Sequence, residues 1–90
     1  MQVQVFGKQK CAKCATTKHK FEHFISKLGL GDRVQLQFID MDSVDGLTEG
    51  AFRDVFDVPT TIIEHEGEDV VRWEGIIPPT GDIKQHLGTA

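Results

Sequence analysis

The sequence predicts an α/β fold: a four-stranded mixed β-sheet with helices on both faces, in the order β-α-β-α-β-β-α. Three observations predict it. Two short alternating stretches flank a long segment of helical periodicity, a β-α-β unit whose strands run parallel through a right-handed crossover. Two later strand-like runs are joined by a glycine-centred turn, an antiparallel hairpin. With 90 residues, 39% hydrophobic and 27% charged, the chain forms one domain over residues 1–90 with one modest core.

The elements follow in order. Val3–Phe6 alternates apolar and polar positions with β-branched residues, as a strand does. From Ala12 the period becomes helical: Cys14, Thr17, Phe21, Phe24, Ile25 and Leu28 fall on one face, and Gly29 and Gly31 stop the helix. Val34–Asp40 alternates again. After a turn at Asp42, Ser43, Asp45 and Gly46, the residues Leu47, Ala51, Phe52, Val55 and Phe56 predict a weaker amphipathic helix. Gly50 weakens its middle by about 1 kcal/mol of propensity. Pro59 cannot donate a ladder hydrogen bond, so it opens the next strand or lies at an edge. Thr60–Glu64 is that strand, Gly67 centres the hairpin turn, and Val70–Gly75 returns. Val71 and Trp73 face one side, Val70 and Arg72 the other. Thr80 is the expected N-cap of a last helix through Ile83 and Leu87, ended by Gly88.

Charge and composition narrow the function classes. Residues 1–31 hold six lysines against one acid, a balance of +5, and residues 32–90 sum to −9. Such a dipole can steer an acidic partner to the N-terminal third. The low overall pI and the absence of a basic stripe interleaved with aromatics argue against nucleic acid. No apolar run approaches the roughly 20 residues of a membrane span, and the first residues lack the apolar core of a signal peptide. A reducing cytoplasm is the expected location, where a disulfide is more often catalytic than structural.

Both cysteines lie in "GKQKCAKCATT", Gly7 to Thr17. They fall where the first strand passes into the first helix, a strong setting for a C-x-x-C pair. Cys14 begins the apolar stripe, so its sulfur should face the core. Cys11 lies at the open helix end, where unpaired N–H groups and the helix dipole favour an anion. That setting lowers a thiol pKa, and Lys10 and Lys13 add positive charge. Cys11 is therefore the expected nucleophile and Cys14 the resolving thiol. Lys13 is assigned to thiolate stabilisation.

A metal reading would rest on the spacing C-x2-C-x4-H-x3-H. At about 100° per residue, Cys14 and His23 are about 180° apart and Cys14 and His19 about 140° apart. One ion cannot meet all four from a regular helix; the histidine pair alone, at i and i+4, could hold a surface metal, but both read first as solvated helix residues. A module holding metal or a cluster, or docking a partner, stays as the alternative class.

"CAKC" at the helix start, "VPT" (Val58, Pro59, Thr60) opening the third strand, and Gly75 ending the fourth resemble the thioredoxin superfamily, at the size of a glutaredoxin. The resemblance covers Val3 to about Leu87. It implies a thioredoxin fold, a cis peptide bond before Pro59, and an extended substrate held by the backbone at Val58 and Pro59, with Lys10, Glu74 and Gly75 beside it. The sequence departs from family patterns between the cysteines, where Ala12 and Lys13 stand, before Val58-Pro59, where glutaredoxins carry Thr and this chain Asp57, and at three further places. Lys10 stands where thioredoxins carry Trp, Val5 stands where they bury an aspartate, and no glycine precedes Gly75. Glu74 would repel a glutathione carboxylate. The expected function is a monomeric dithiol–disulfide oxidoreductase acting on protein disulfides. No cofactor beyond the redox-active disulfide is expected; a reductase or dithiol would supply electrons.

Overall fold

A computed structural model describes residues 1–90. Its elements are β1 (Gln2–Gly7), α1 (Ala12–Lys27), β2 (Gln35–Asp40), α2 (Val44–Phe52), β3 (Thr60–His65), β4 (Glu68–Glu74) and α3 (Thr80–Leu87). The sheet order is β2-β1-β3-β4. β1 and β2 are parallel, and β3 is antiparallel to both β1 and β4. The expected element order, parallel first pair and antiparallel hairpin in a four-stranded mixed sheet are therefore observed.

The sheet has two unequal faces. Val3 and Val5 of β1, Ile63 of β3 and Trp73 of β4 join Phe21, Phe24 and Ile25 of α1 and Ile83 and Leu87 of α3 in the main core. Each fully buried large side chain contributes about 1.5–3 kcal/mol, so this layer carries most of the fold. The opposite face holds only Phe6, Ile39, Met41, Val55 and Ile62, with Val58 packed against them.

Helix α2 covers that second face differently from the expectation. Its buried residues are Gly46 and Gly50. A Cβ on Gly46 would lie 1.7 Å from the Asp40 carbonyl oxygen, and one on Gly50 would lie 2.6 Å from Met41 Cε. The helix approaches the sheet glycine-first, which leaves Val44, Leu47 and Phe52 outward. It also ends at Phe52, so Val55 and Phe56 lie in the loop beyond it. Only Val55 of the five residues expected on its apolar face is buried, while Phe52 and Phe56 are each 86% exposed.

The helix ends are closed by backbone geometry. At α1, Gly29 takes φ 67°. Gly29 N–H donates to Ser26 O (3.1 Å) and Leu30 N–H to Ile25 O (2.9 Å), a Schellman motif with buried Leu30 as its apolar contact. Leu28, expected on the inner stripe, is exposed. At α2 the same motif uses Asp54 at φ 55°, with Val55 N–H donating to Gly50 O at 2.8 Å. Ser43 caps the start of α2: its Oγ accepts from Gly46 N–H (2.9 Å) and donates to Asp40 O (2.7 Å). Thr80 does not cap α3. Pro79 takes the N-cap position, with no side-chain bond, and Thr80 is the first helical residue. The preset φ of proline gives the extended entry without a capping hydroxyl. Glu66 and Gly67, both at positive φ, form the hairpin turn whose twist suits antiparallel strands.

Candidate active site

Four connections meet at one end of the sheet: Gly7 to Cys11, Asp40 to Val44, Arg53 to Pro59, and Gly75 to Pro79. They lie beyond the carboxyl ends of the parallel strands β1 and β2, the usual position of sites in open α/β sheets.

Cys11 is the N-cap residue of α1, with extended backbone (φ −113°, ψ 111°). Its Sγ accepts the Cys14 N–H at 3.1 Å. Sulfur therefore takes the place of the usual capping oxygen and satisfies one of the open amides. The first turn of α1 holds no acidic residue, so nothing offsets the positive dipole end there. Cys11 is partly exposed, whereas Cys14 is fully buried. The two are joined in a disulfide across a Cα–Cα distance of 5.2 Å.

Cys14 packs on the end of β1. A Cβ on Gly7 would lie 2.7 Å from Cys14 Cβ and 2.8 Å from its Sγ, so only glycine allows this approach. One register step beyond the last β1–β3 pair, Phe6 with Thr60, Pro59 lies alongside Gly7. The Val58–Pro59 bond is cis. Pro59 O accepts the Gly75 N–H at 2.8 Å, and Thr60 Oγ1 donates to Asp57 O at 2.6 Å. Gly75, at φ 72°, lies against Asp57, whose Cβ would be 3.5 Å from a Cβ at Gly75. The expected residues Val58, Pro59 and Gly75 are thus brought together beside the strand end that carries Cys14.

The remaining expected residues are dispersed around this centre. Lys10 and Lys13 flank Cys11 and are exposed. Glu74 is held by Arg72, Nε to Oε1 at 2.7 Å. His19 pairs with Glu22 at 3.2 Å on the exposed side of α1. No three His, Cys, Asp or Glu side chains group as a metal site.

Several positions of consequence carry little signal in the sequence. Gly7 has only the general hint that a glycine at a strand end can mark a close approach. Arg72 reads by alternation as an outward strand residue and nothing more. Its guanidinium donates to Arg53 O at 2.6 Å and to Asp54 O, which holds the end of α2 and the start of the loop leading to Pro59. Arg53 reaches back to Gln4 Oε1 (2.8 Å) and Asp69 (2.7 Å). These arginines cover the part of the sheet that the nine-residue α2 cannot reach.

A four-stranded mixed sheet in the order β-α-β-α-β-β-α, with a C-x-x-C disulfide at the first helix N-terminus, defines the thioredoxin fold with its thiol–disulfide pair. Residues 1–88 match the family model for the thioredoxin domain, and the chain belongs to that family. Among solved structures, thioredoxin 1 from Thermosipho africanus TCF52B is similar, with 21% identity and a TM-score of 0.76 over 99% of this chain and 97% of that one. Thioredoxin O2 from Arabidopsis thaliana in its oxidised state gives 16% identity and a TM-score of 0.79, over 98% and 72%. Fasciola hepatica thioredoxin gives 20% and 0.75, over 98% and 78%. At these identities the likeness is one of fold. No curated protein matches the chain. Family and disulfide together support a thiol–disulfide oxidoreductase role in general terms.

Proposed function

We propose that this protein reduces protein disulfides through a reversible Cys11–Cys14 disulfide. One observation carries the reading: a disulfide joins a partly exposed N-cap sulfur to a fully buried one at the strand-to-helix junction. In the reduced protein, Cys11 as thiolate attacks a substrate disulfide. Its sulfur bonds to one substrate sulfur, and the other leaves with the electron pair and takes a proton. Cys14 then loses its proton and attacks Cys11 Sγ. The intramolecular disulfide forms and the second substrate sulfur leaves, so two electrons have passed to the substrate.

Lys13 and Lys10 support the Cys11 thiolate by their charge. Val58 and Pro59, tied to Gly75, offer backbone to an extended substrate segment, with Glu74 at its margin. A reductase or small dithiol restores the reduced pair, with no cofactor beyond the cysteines. Glu74 disfavours glutathione as the regular partner. The protein acts as a monomer in the cytoplasm. Its reduction potential falls at about −270 to −200 mV, the range of reducing thioredoxins and glutaredoxins.

Insulin-disulfide reduction driven by dithiothreitol tests the reading. Wild type accelerates the reaction over a Cys11→Ser variant; equal rates for the two proteins would contradict it.

A further inference from the structure

Thr61 is fully buried, and its Oγ1 is the one buried side-chain nitrogen or oxygen without a hydrogen-bond partner. It is opposite Val5 on β1 and Trp73 on β4. All three therefore face the side of the sheet covered by α1 and α3, where Val5 and Trp73 are core residues. A valine would fill the same volume there without a hydroxyl to satisfy. Burying a hydroxyl unpaired is costly, so a group that pairs with it in another state of the protein is the economical explanation.

Cys14 is the sulfur-bearing side chain at this end of the same face, and in the disulfide state its Sγ makes no hydrogen bond with Thr61 Oγ1. Cys14 packs against Gly7, which shares this face with Val5 by strand alternation. Gly7 and Thr61 are diagonal neighbours across the β1–β3 ladder, about 7–8 Å apart at Cα and within reach of side chains standing on that face. The only other buried polar side chain of this face, Thr17, already donates to Lys13 O at 2.8 Å. Gln4 and Thr60 belong by alternation to the opposite face. In the disulfide state the Cys14 sulfur is a weak acceptor. As a thiolate it is a strong one.

We propose that the Thr61 hydroxyl hydrogen-bonds the Cys14 sulfur once the disulfide opens, which favours the reduced pair and supports Cys14 as the resolving thiolate. This rests on the dithiol–disulfide reading above. Thr61 exchanges no electrons and no proton. The proton leaves Cys14 for solvent, the electron pair goes from the Cys14 sulfur into the new bond with Cys11, and the substrate sulfur departs with the pair of the broken bond. Thr61 is a positioning residue that acts through Cys14.

The test equilibrates wild type, Thr61→Val and Thr61→Ser with a graded series of reduced and oxidised glutathione, used as a redox buffer. Free thiols are trapped and counted by mass. Thr61→Val shifts the equilibrium toward the disulfide by threefold or more, about 14 mV at 29.6 mV per tenfold. Thr61→Ser, which keeps the hydroxyl, stays near wild type. In parallel, Thr61→Val raises the melting temperature of the oxidised form but not of the reduced form. Unchanged equilibria, with both forms of Thr61→Val stabilised alike, would overturn the inference, because the hydroxyl would then be unpaired in both states. A Thr61→Ser protein that behaves as Thr61→Val would overturn it too, by assigning the effect to packing. If no protein exchanged with the buffer at all, the dithiol reading itself would fail and the inference with it.

Discussion

Gly7 lies directly beneath Cys14, so close that a methyl group on Gly7 would meet both the β-carbon and the sulfur of the cysteine, at 2.7 and 2.8 Å. The backbone of β1 is thus the floor on which the buried half of the disulfide rests. Replacing Gly7 by Ala forces the start of α1 away from the sheet. Overpacking of this kind costs about 1–3 kcal/mol. For a domain of this size that is about 4–8 °C of melting temperature per kcal/mol. Thermal unfolding of oxidised Gly7→Ala should show this loss, and insulin reduction should slow with it.

The glycines of α2 make a sharper contrast. At Gly46 the obstacle is the Asp40 carbonyl, whose oxygen would lie 1.7 Å from an added methyl carbon, and backbone cannot step aside as a side chain can. Gly46→Ala should therefore prevent α2 from docking and destabilise the protein by more than about 3 kcal/mol, beyond the ordinary overpacking range. Gly81, inside α3 with open space around it, gives the opposite sign. Gly81→Ala should stabilise by about 0.5–1 kcal/mol. Paired chemical denaturation curves check both.

The outward side of α2 and the loop beyond it yield a prediction of near-neutrality. Phe52 and Phe56 are largely in water, so Phe52→Ser and Phe56→Ser should each change stability by no more than about 0.5 kcal/mol. Phe21→Ala, in the main core, should cost about 3–5 kcal/mol. Urea unfolding of the three variants decides whether α2 packs by its glycines or by its apolar side chains.

Arg72 joins stability to the site. Its guanidinium binds the carbonyls of Arg53 and Asp54, just before the loop that ends in Val58 and Pro59. Arg72→Met keeps much of the apolar stem and removes the charged donors. A loss of about 1.5–3 kcal/mol is expected for hydrogen bonds to a charged group. Because the loop presents Pro59, kcat/KM for insulin reduction should fall further than a stability loss alone explains, with Cys11 alkylation unchanged.

Much of this architecture was legible in the residues. The alternation of Val3–Phe6 and Val34–Asp40, the stripe from Cys14 to Ile25, and the glycine turn of the hairpin are local signals, and with the crossover rule they give the parallel β1–β2 pair and the β3–β4 hairpin; the antiparallel β1–β3 pairing that sets the sheet order is long-range and has no local signal. The placement of the two cysteines was legible too: Cys11 at the open end of α1 and Cys14 at the start of its buried stripe, as helix polarity and periodicity require. The face of α2 was not. Apolar periodicity ordinarily marks the buried side, but Gly46 and Gly50 bring the helix backbone against the sheet and turn the larger residues outward. Gly7 matters through a partner that no local pattern reveals, Cys14 across the strand-to-helix junction, and the burial of Thr61 opposite Val5 is likewise set by long-range pairing. Thr80 has the residue type of a cap, while Pro79 supplies the extended entry to α3 without a side-chain bond.

The division of labour between the two sulfurs is tested most directly by trapping the mixed disulfide. Cys14→Ser and Cys11→Ser proteins, each fully reduced, are mixed with insulin, and the products are mapped by mass spectrometry after proteolysis. Cys14→Ser should accumulate a covalent adduct through Cys11, and Cys11→Ser should form little or none, because its remaining thiol is buried. An adduct on Cys14 that forms as fast in Cys11→Ser as the adduct on Cys11 does in Cys14→Ser would contradict the assignment.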